Sequence, residues 1–498
     1  MGGGGLLGAV RPEPDARQTE GEALKSYPES SKEHEFQHQS ALSRLIGRLF
    51  GADAQSRLIL ARTWALAWPV VLEQALAMVG QVIDMAMLGR LGKEAVAAVG
   101  LSMQPFQLIQ ATFMGLSVGT TALVARATGA GNREEAGQVA GQALIVAFIF
   151  GLAISLIGIT NADWIVTFMK AEEPVRIVGR EYVRMMMPGM LLFFVFTIAT
   201  GALRGAGDTR TPMIINVSLN ALKATSNYLL IFGNLGFPEM GVAGAGLSTT
   251  IARSLGGIAI LVALSRKSSK LPVNWKRVFS NFDLRLFGRI LNIGVPAMAE
   301  RVLTSSGQIA YARQVAGLGT EAYAAHSLSL NVESFSYMPG MGFATSATAL
   351  VGQRLGAKDP EGAEKSAIIA MKMGVLTMGT MGVLFFLFPA QFLSIFTNDA
   401  GVIARGVPLV RIVAFTQFPE ALGFVIPGAL RGAGDTRIAM YVTVAGVWCV
   451  RLGLTYVLMN FFNVGLTAAW FAMFADWVVR SSLYWVRLKR GKWKEIKV

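Results

Sequence analysis

From residue 66 to residue 487 the chain reads as a succession of long apolar stretches, each interrupted only briefly by charged, glycine-rich or proline-containing segments. A helix rises about 1.5 Å per residue, so roughly 20 apolar residues cross the ~30 Å hydrocarbon core of a bilayer. Spanning backbone must satisfy its own hydrogen bonds. Barrel strands would show short segments of alternating polarity, and the sequence has none of that rhythm. The pattern therefore predicts twelve helices, over 66–89, 96–124, 135–158, 177–202, 212–233, 241–264, 285–314, 321–350, 362–389, 404–429, 438–460 and 464–487. The fold class expected is all-α, a polytopic membrane protein.

Composition agrees with that reading. The chain is 53% apolar and only 15% charged, where a soluble domain carries about 25% charge. A net charge of +14 raises the question of nucleic acid, but the basic residues alternate between loops. One set of connections carries Arg126, Arg133, Arg204, Arg210, Arg266, Lys267, Lys270, Lys276, Arg277, Arg354, Lys358, Arg431 and Arg437, and the same side takes the tail "RLKRGKWKEIKV". Segments 234–240, 315–320 and 461–463 hold no Lys or Arg; Arg90, Lys93 and Lys170 are the exceptions to the alternation. The positive-inside tendency then puts both termini and the central loop in the cytosol. The expectation is a multi-pass protein of the cell membrane with no nucleic-acid partner.

The single cysteine, Cys449, excludes an internal disulfide and a cysteine-based metal cluster. Three histidines, His34, His38 and His326, offer no zinc site. No phosphate-binding glycine–lysine signature points to ATP, and no nucleophile–histidine set within the spans points to an enzyme. Residues 1–60, rich in Glu, Ser, Gln and Gly and without an apolar stretch of signal-peptide length, are expected to be a disordered cytosolic tail.

The decapeptide "GALRGAGDTR" occurs at Gly201–Arg210 and again at Gly428–Arg437. Shifting the chain by 227 positions aligns residues 69–210 with 296–437 without a gap: "PVVLEQ" meets "PAMAER", "LGKEAVAA" meets "LGTEAYAA" and "TALV" meets "TALV". Beyond that the offset is expected to drift by a few residues in short loops. The chain is thus two homologous halves, an N-terminal bundle over 61–265 and a C-terminal bundle over 285–488, joined by a basic linker, 266–284, and followed by a basic tail, 489–498. Six helices per half is an even number, so both halves start on the same side and form parallel, pseudo-symmetric six-helix bundles around an axis along the membrane normal. A cavity between two such bundles can open on either face. The decapeptide glycines suit a tight turn at the cytoplasmic end of each fourth helix, and Arg204, Asp208 and Arg210 are close enough in sequence to pair with one another.

Ionisable residues at bilayer depth are expensive and mark functional positions. On the first helix Pro69, Glu73, Leu76, Gly80 and Asp84 fall near one face. Asp84 is the first candidate for an ion-coupling carboxyl, and Pro69 can kink its helix. Glu73 fits a functional or a structural role equally. Lys223, in the apolar run "LNALKATSNYLLIFG", needs a partner, and Asp84 is the acid to supply it. In the second half Arg451 lies at nearly the repeat-equivalent place, with Glu300 and Glu420 as its candidate carboxylates. His326 is expected to make a hydrogen-bonded helix–helix contact, Asp476 and Arg480 an intrahelical pair, and Met185–Met187 ordinary packing.

Two parallel sixes, each with "GALRGAGDT" after its fourth helix, and a first helix reading "WPVVLEQALAMVGQVIDMAMLGRLG" resemble the MATE (multidrug and toxic compound extrusion) transporters, most of all their DinF-like branch. The resemblance covers residue 60 to the end. It implies cation-coupled export of amphipathic, often cationic compounds, with the "IDMAMLG" acid Asp84 as the coupling residue. It also implies that Lys223 stands where sodium-binding relatives have an asparagine, that Asn227 replaces an aspartate, and that Thr249 matches the sixth-helix threonine. That departure favours protons over sodium. Glu420 stands where some sodium-dependent members have an aspartate, whereas Thr304 occupies the place of their seventh-helix glutamate, with Glu300 a turn earlier. A lipid-linked precursor flippase of the wider superfamily, with a basic cavity, is the alternative. No cofactor is expected beyond the coupling ion, H+ or alternatively Na+. The expected partners are small organic substrates and membrane lipid, around a monomer.

Overall fold

The computed structural model describes residues 53–169, 171–266, 269–280, 282–462 and 465–496. The tail expected over 1–60 lies outside them up to residue 52, together with His34, His38, Lys170 and Lys267. The chain divides into Met1–Arg57 and Leu58–Val498, and the latter holds both halves.

Twelve spans follow in order. The N-terminal half comprises α1 (Ala54–Gly89), α2 (Lys93–Gly129), α3 (Arg133–Thr160), α4 in two pieces (Glu173–Met186 and Pro188–Gly205), α5 (Arg210–Phe232) and α6 (Gly241–Ser265). The C-terminal half comprises α7 (Leu284–Ala316), α8 (Thr320–Gly356), α9 (Pro360–Leu387), α10 (Ala400–Gly432), α11 (Thr436–Asn460) and α12 (Leu466–Lys489). The described residues are all-helical apart from turns and connections. The apolar core of the first half continues into α7 through Leu286, Ile290 and Ile293, and the second half has a further cluster. Phe113, Phe150 and Phe194 pack together in the first, while Tyr311, Phe385, Trp470 and Trp477 belong to that of the second.

Several boundaries differ from the hydropathy pattern for local reasons. α1 starts at Ala54, a dozen residues before the apolar stretch, because residues 54–65 are good helix formers continuous with it. The fourth span breaks at Met187, since Pro188 cannot donate into the preceding turn. Short helices Ala162–Phe168 and Pro389–Ser394 precede α4 and α10 at matching places, and a third, Trp275–Ser280, lies in the basic linker.

Each decapeptide ends its helix in a left-handed glycine, Gly207 at φ 82° and Gly434 at φ 87°. Only glycine adopts that backbone without steric cost. The asparagine and aspartate caps of α3 and α9, Asn132 and Asp359, hold the first turns by accepting from Glu135 N and Gly362 N.

The halves pack along α2–α7 and α1–α8, where a Cβ on Gly115 would meet Met298 N and one on Gly342 the Ala67 carbonyl, and they close up most tightly at the decapeptide end. There α2 crosses α8 so closely that a Cβ on Gly129 would run into the carbonyl oxygen of Gln353, and one on Gly356 into that of Arg126. Gly129 and Gly356 are 227 residues apart, so the crossing is nearly self-complementary. Arg126 donates Nη2 to Ala433 O at 2.9 Å, and Gln353, its counterpart in the repeat, donates Nε2 to Gly205 O at 2.9 Å. The linker and the start of α7 lie along the first half: Arg277 pairs with Glu134 and Lys270 reaches Gly207 O at 3.1 Å from the linker, and Arg289 of α7 pairs with Glu135 at 3.0 Å.

Candidate functional site

The N-terminal half gathers its polar groups around Asp84. Oδ2 takes the ammonium of Lys223 from α5, and Oδ1 accepts from Asn227 Nδ2 at 2.6 Å. Lys223 and Asn227 are four residues apart and so share one face of α5, aimed at α1. Ser248 of α6 donates to the Lys223 carbonyl at 3.0 Å, tying α6 to the same turn. Gly80, one turn before Asp84, brings α1 against Asn220, whose Oδ1 would sit 3.5 Å from a Cβ there. Asn227 is buried, and its own Oδ1 has no donor.

Thr249 donates to Ala245 O at 3.0 Å, and the hydroxyl of Tyr182, a buried α4 residue, donates to Met103 Sδ at 3.4 Å. Tyr182 and its neighbour Arg253 were not marked by the sequence reading. An arginine amid the apolar run of α6 was the available signal.

Glu73, on the same α1 face, belongs to a different construction. Its Oε2 pairs with Arg204 of the first decapeptide at 2.7 Å, and its Oε1 accepts from Asn216 Nδ2 at 2.6 Å. The second half repeats it: Glu300 Oε1 takes Arg431 at 2.6 Å and Thr443 Oγ1 at 3.1 Å. Every member is displaced by 227. The decapeptide arginine therefore does not pair with its own aspartate, as sequence proximity suggested. Asp208 instead caps α5 through Thr211 N at 3.0 Å and Oγ1 at 2.7 Å, while Asp435 takes Arg487 of α12 at 2.8 Å. The arginine lies on the last helical turn, facing α1 or α7, and the aspartate lies beyond the left-handed glycine, facing away.

Nor do Glu300 and Glu420 hold Arg451. Its carboxylate is Asp476, 2.8 Å from Nη2 and 3.0 Å from Nε, and Asp476 also takes Arg480 at 2.7 Å, so the intrahelical pair is one side of a triad. Gly446 makes room, for a Cβ there would meet both Asp476 and Arg480. The repeat explains the change of partner. The position 227 after Asp84 is Tyr311, and the Arg451 guanidinium lies over its ring at 5.6 Å. The second half keeps the cation and replaces the acid by an aromatic ring, leaving the charge to be met from α12.

The offset of Arg451 from Lys223 is 228, not 227, and the extra residue enters inside α11. Gly446–Leu452 is a π-helical turn, which absorbs one residue without leaving the helix. Register drift thus begins within a span rather than in a loop.

Glu420 sits elsewhere in that half, accepting from Gln417 Nε2 at 3.1 Å; Ser336 of α8 donates to Gln417 Oε1. Glu333, one turn before Ser336, is buried within electrostatic reach of both Glu420 and Arg451. It too went unmarked, although it is the sole charge in the middle of α8. Thr304 Oγ1 is buried without a partner. His326 does not make the expected helix–helix hydrogen bond: Nδ1 has no partner, and the ring packs edge-on against Tyr311 and Trp470 at 5.6 and 5.5 Å. Pro69 lies buried inside α1, which continues as helix on both sides.

Two parallel six-helix halves, packed on one another and carrying ion pairs at repeat-related places, have the construction of a two-bundle membrane transporter. The MatE family model matches residues 69–229 and 296–457, two segments that start 227 residues apart. The chain belongs to that family, the MATE multidrug efflux transporters, and is an integral, multi-pass membrane protein.

Among similar proteins, the probable multidrug resistance protein NorM of Thermotoga maritima is 34% identical over 436 residues, covering 86% of this chain and 92% of that one. The uncharacterized transporter YisQ of Bacillus subtilis is 27% identical over 432 residues, with 86% and 94% covered. Solved structures share the fold. The Vibrio cholerae MATE transporter VcmN in its bent form superposes with a TM-score of 0.81 at 20% identity, covering 88% of this chain and 98% of that one. A MOP superfamily transporter from Pyrococcus furiosus does so with 0.80 at 20%, covering 90% and 100%.

Proposed function

We propose that this chain exports amphipathic, often cationic organic compounds across the cell membrane by proton-coupled antiport, with Asp84 as the carboxyl that exchanges the proton. The observation that carries the reading is the Asp84–Lys223 contact. A carboxylate inside a helical bundle is stable while a cation and an amide hold it. A proton arriving at Asp84 cancels the attraction for Lys223 and releases α5 from α1, so that one ion changes how two helices are held. Such a change, made from one face and undone from the other, is what alternating access requires.

Lys223 also argues against sodium, since its ammonium occupies the carboxylate edge a metal ion would need. The Asn227 acceptor left without a donor suits a protonated Asp84, or a water beside it, as a new hydrogen-bond partner. The loops rich in Arg and Lys favour cytosolic termini, and the crossing of Gly129 with Gly356 then closes the cytosolic side in the state described. We read the transporter as a monomer acting on small organic molecules, with lipid as solvent and nucleic acid as no part of its work.

The test is efflux of a fluorescent cationic dye from proteoliposomes under separate proton and sodium gradients, with Asp84→Asn alongside. Proton-driven efflux lost in Asp84→Asn is the expected result. Sodium-driven efflux indifferent to the proton gradient would overturn the coupling, and movement of lipid-linked precursors without dye efflux would favour a flippase.

A further inference from the structure

Arg253 stands thirteen residues into the 25-residue helix α6, at mid-span, with no carboxylate against it among the described residues. Several other cations of the bundle do have one: Lys223 has Asp84, Arg204 has Glu73, Arg431 has Glu300, and Arg451 and Arg480 share Asp476. What surrounds Arg253 is soft. Nη1 approaches the Met190 sulfur at 2.9 Å, and the guanidinium lies over the Phe193 ring at 4.6 Å.

The side chain leaves α6 on the face that packs on α4, where Gly189 leaves room for its Cβ. The same Met190 sulfur is met from α2 by Gln110 Nε2 at 3.9 Å. A thioether and a ring face stabilise a guanidinium only in part. Its planar fork of donors, on a half-buried residue, has no acceptor stronger than the thioether among the described residues.

We infer that Arg253 is a recognition site for an oxyanion carried by the transported compound, so that the N-terminal half selects amphipaths bearing a carboxylate or phosphate besides their apolar body. The inference rests on the exporter reading and deepens it. Asp84 and Lys223 cancel, so the interior of this half keeps one positive charge while the acid is ionised. A zwitterion presents its anionic end to the guanidinium and gains a contact that a ligand without an oxyanion lacks. Met190 and Phe193 supply the apolar wall for the adjoining ring system, and the arginine fork fixes the oxyanion in a bidentate geometry.

The experiment compares tetramethylrhodamine with its methyl ester, two probes of one ring system differing by a carboxylate, by fluorescence anisotropy on the full chain in detergent. Wild type is expected to bind the free acid about tenfold more tightly than the ester. Arg253→Gln should bind the two alike, within about threefold, with its affinity for the ester retained, and Arg253→Lys should keep part of the preference. A short-chain phosphatidic acid that displaces the free acid from wild type but not from Arg253→Gln would identify a lipid headgroup as the source of the oxyanion; failure to displace it would leave the soluble substrate.

Equal binding of acid and ester by wild type would overturn the inference without any variant needing to fold. A preference undiminished in Arg253→Gln would do so as well. Proton-driven efflux of the ester, assayed separately, reports on the exporter reading and is independent of this outcome.

Discussion

Glu73 and Arg204 are joined at 2.7 Å across 131 residues of chain, and Glu300 and Arg431 at 2.6 Å across the same separation. Both pairs tie the start of a bundle to the end of its fourth helix, and both use the arginine of the repeated decapeptide. Their exchange of Asn216 for Thr443 as the second donor is a substitution within one design.

A clamp between helices is the role that thermal stability can test for these pairs. Glu73→Gln or Glu300→Gln leaves a largely buried guanidinium without its anion, at a cost of about 3 kcal/mol. Thermal unfolding in detergent should show each variant less stable than wild type. Arg204→Gln combined with Glu73→Gln should lose less than the sum of the single changes, because the second removal strands no charge. Full additivity in that cycle would mean that the pair contributes nothing as a pair.

The coupling ion should respond to Lys223. Replacing it by asparagine and Asn227 by aspartate removes the ammonium from Asp84 and adds a second carboxylate on the same face of α5, the arrangement that hard cations favour. The double variant Lys223→Asn, Asn227→Asp is expected to acquire dye efflux driven by a sodium gradient. Efflux that stays sodium-independent would place the choice of ion outside these two residues.

The crossing of α2 and α8 tolerates no side chain. Gly356→Val should hold the halves apart at the decapeptide end, since its Cβ would overlap the Arg126 carbonyl. In a Cys449→Ser background with cysteine at Gln353, labelling by a membrane-impermeant maleimide from that side is expected to rise by about tenfold, and transport to fall by a similar factor, the equivalent of roughly 1.4 kcal/mol on the closed state. Unchanged labelling would show that the contact is not the closure.

His326 should be dispensable. Its Nδ1 makes no bond and its ring packs between Tyr311 and Trp470, so His326→Phe conserves volume and removes an unsatisfied polar atom. A stability change within about 1.5 kcal/mol is expected, with the pH profile of transport unaltered. A shifted profile would give the imidazole a role that its packing does not suggest.

Much of this protein is written linearly. The apolar stretches give the twelve spans because hydrocarbon admits few other solutions for backbone. The 227-residue repeat gives the two parallel halves, and Asp84 and Lys223, set in apolar spans, each require a partner of opposite charge, which the fold brings together. Those are one-dimensional facts: length, hydropathy, self-similarity and scarcity of charge.

What only the tertiary structure decided is which charge meets which. Arg204 is nearer in sequence to Asp208 but turns to Glu73. Arg451 has Glu300 and Glu420 as plausible acids but takes Asp476, because its repeat-equivalent partner position holds Tyr311 and a π-turn advances its register by one residue. Glu333 and Arg253 gain significance from neighbours more than fifty residues away. An ion pair depends on the rotation and crossing of helices remote along the chain, and a hydropathy pattern fixes the length and burial of a helix while leaving that rotation free.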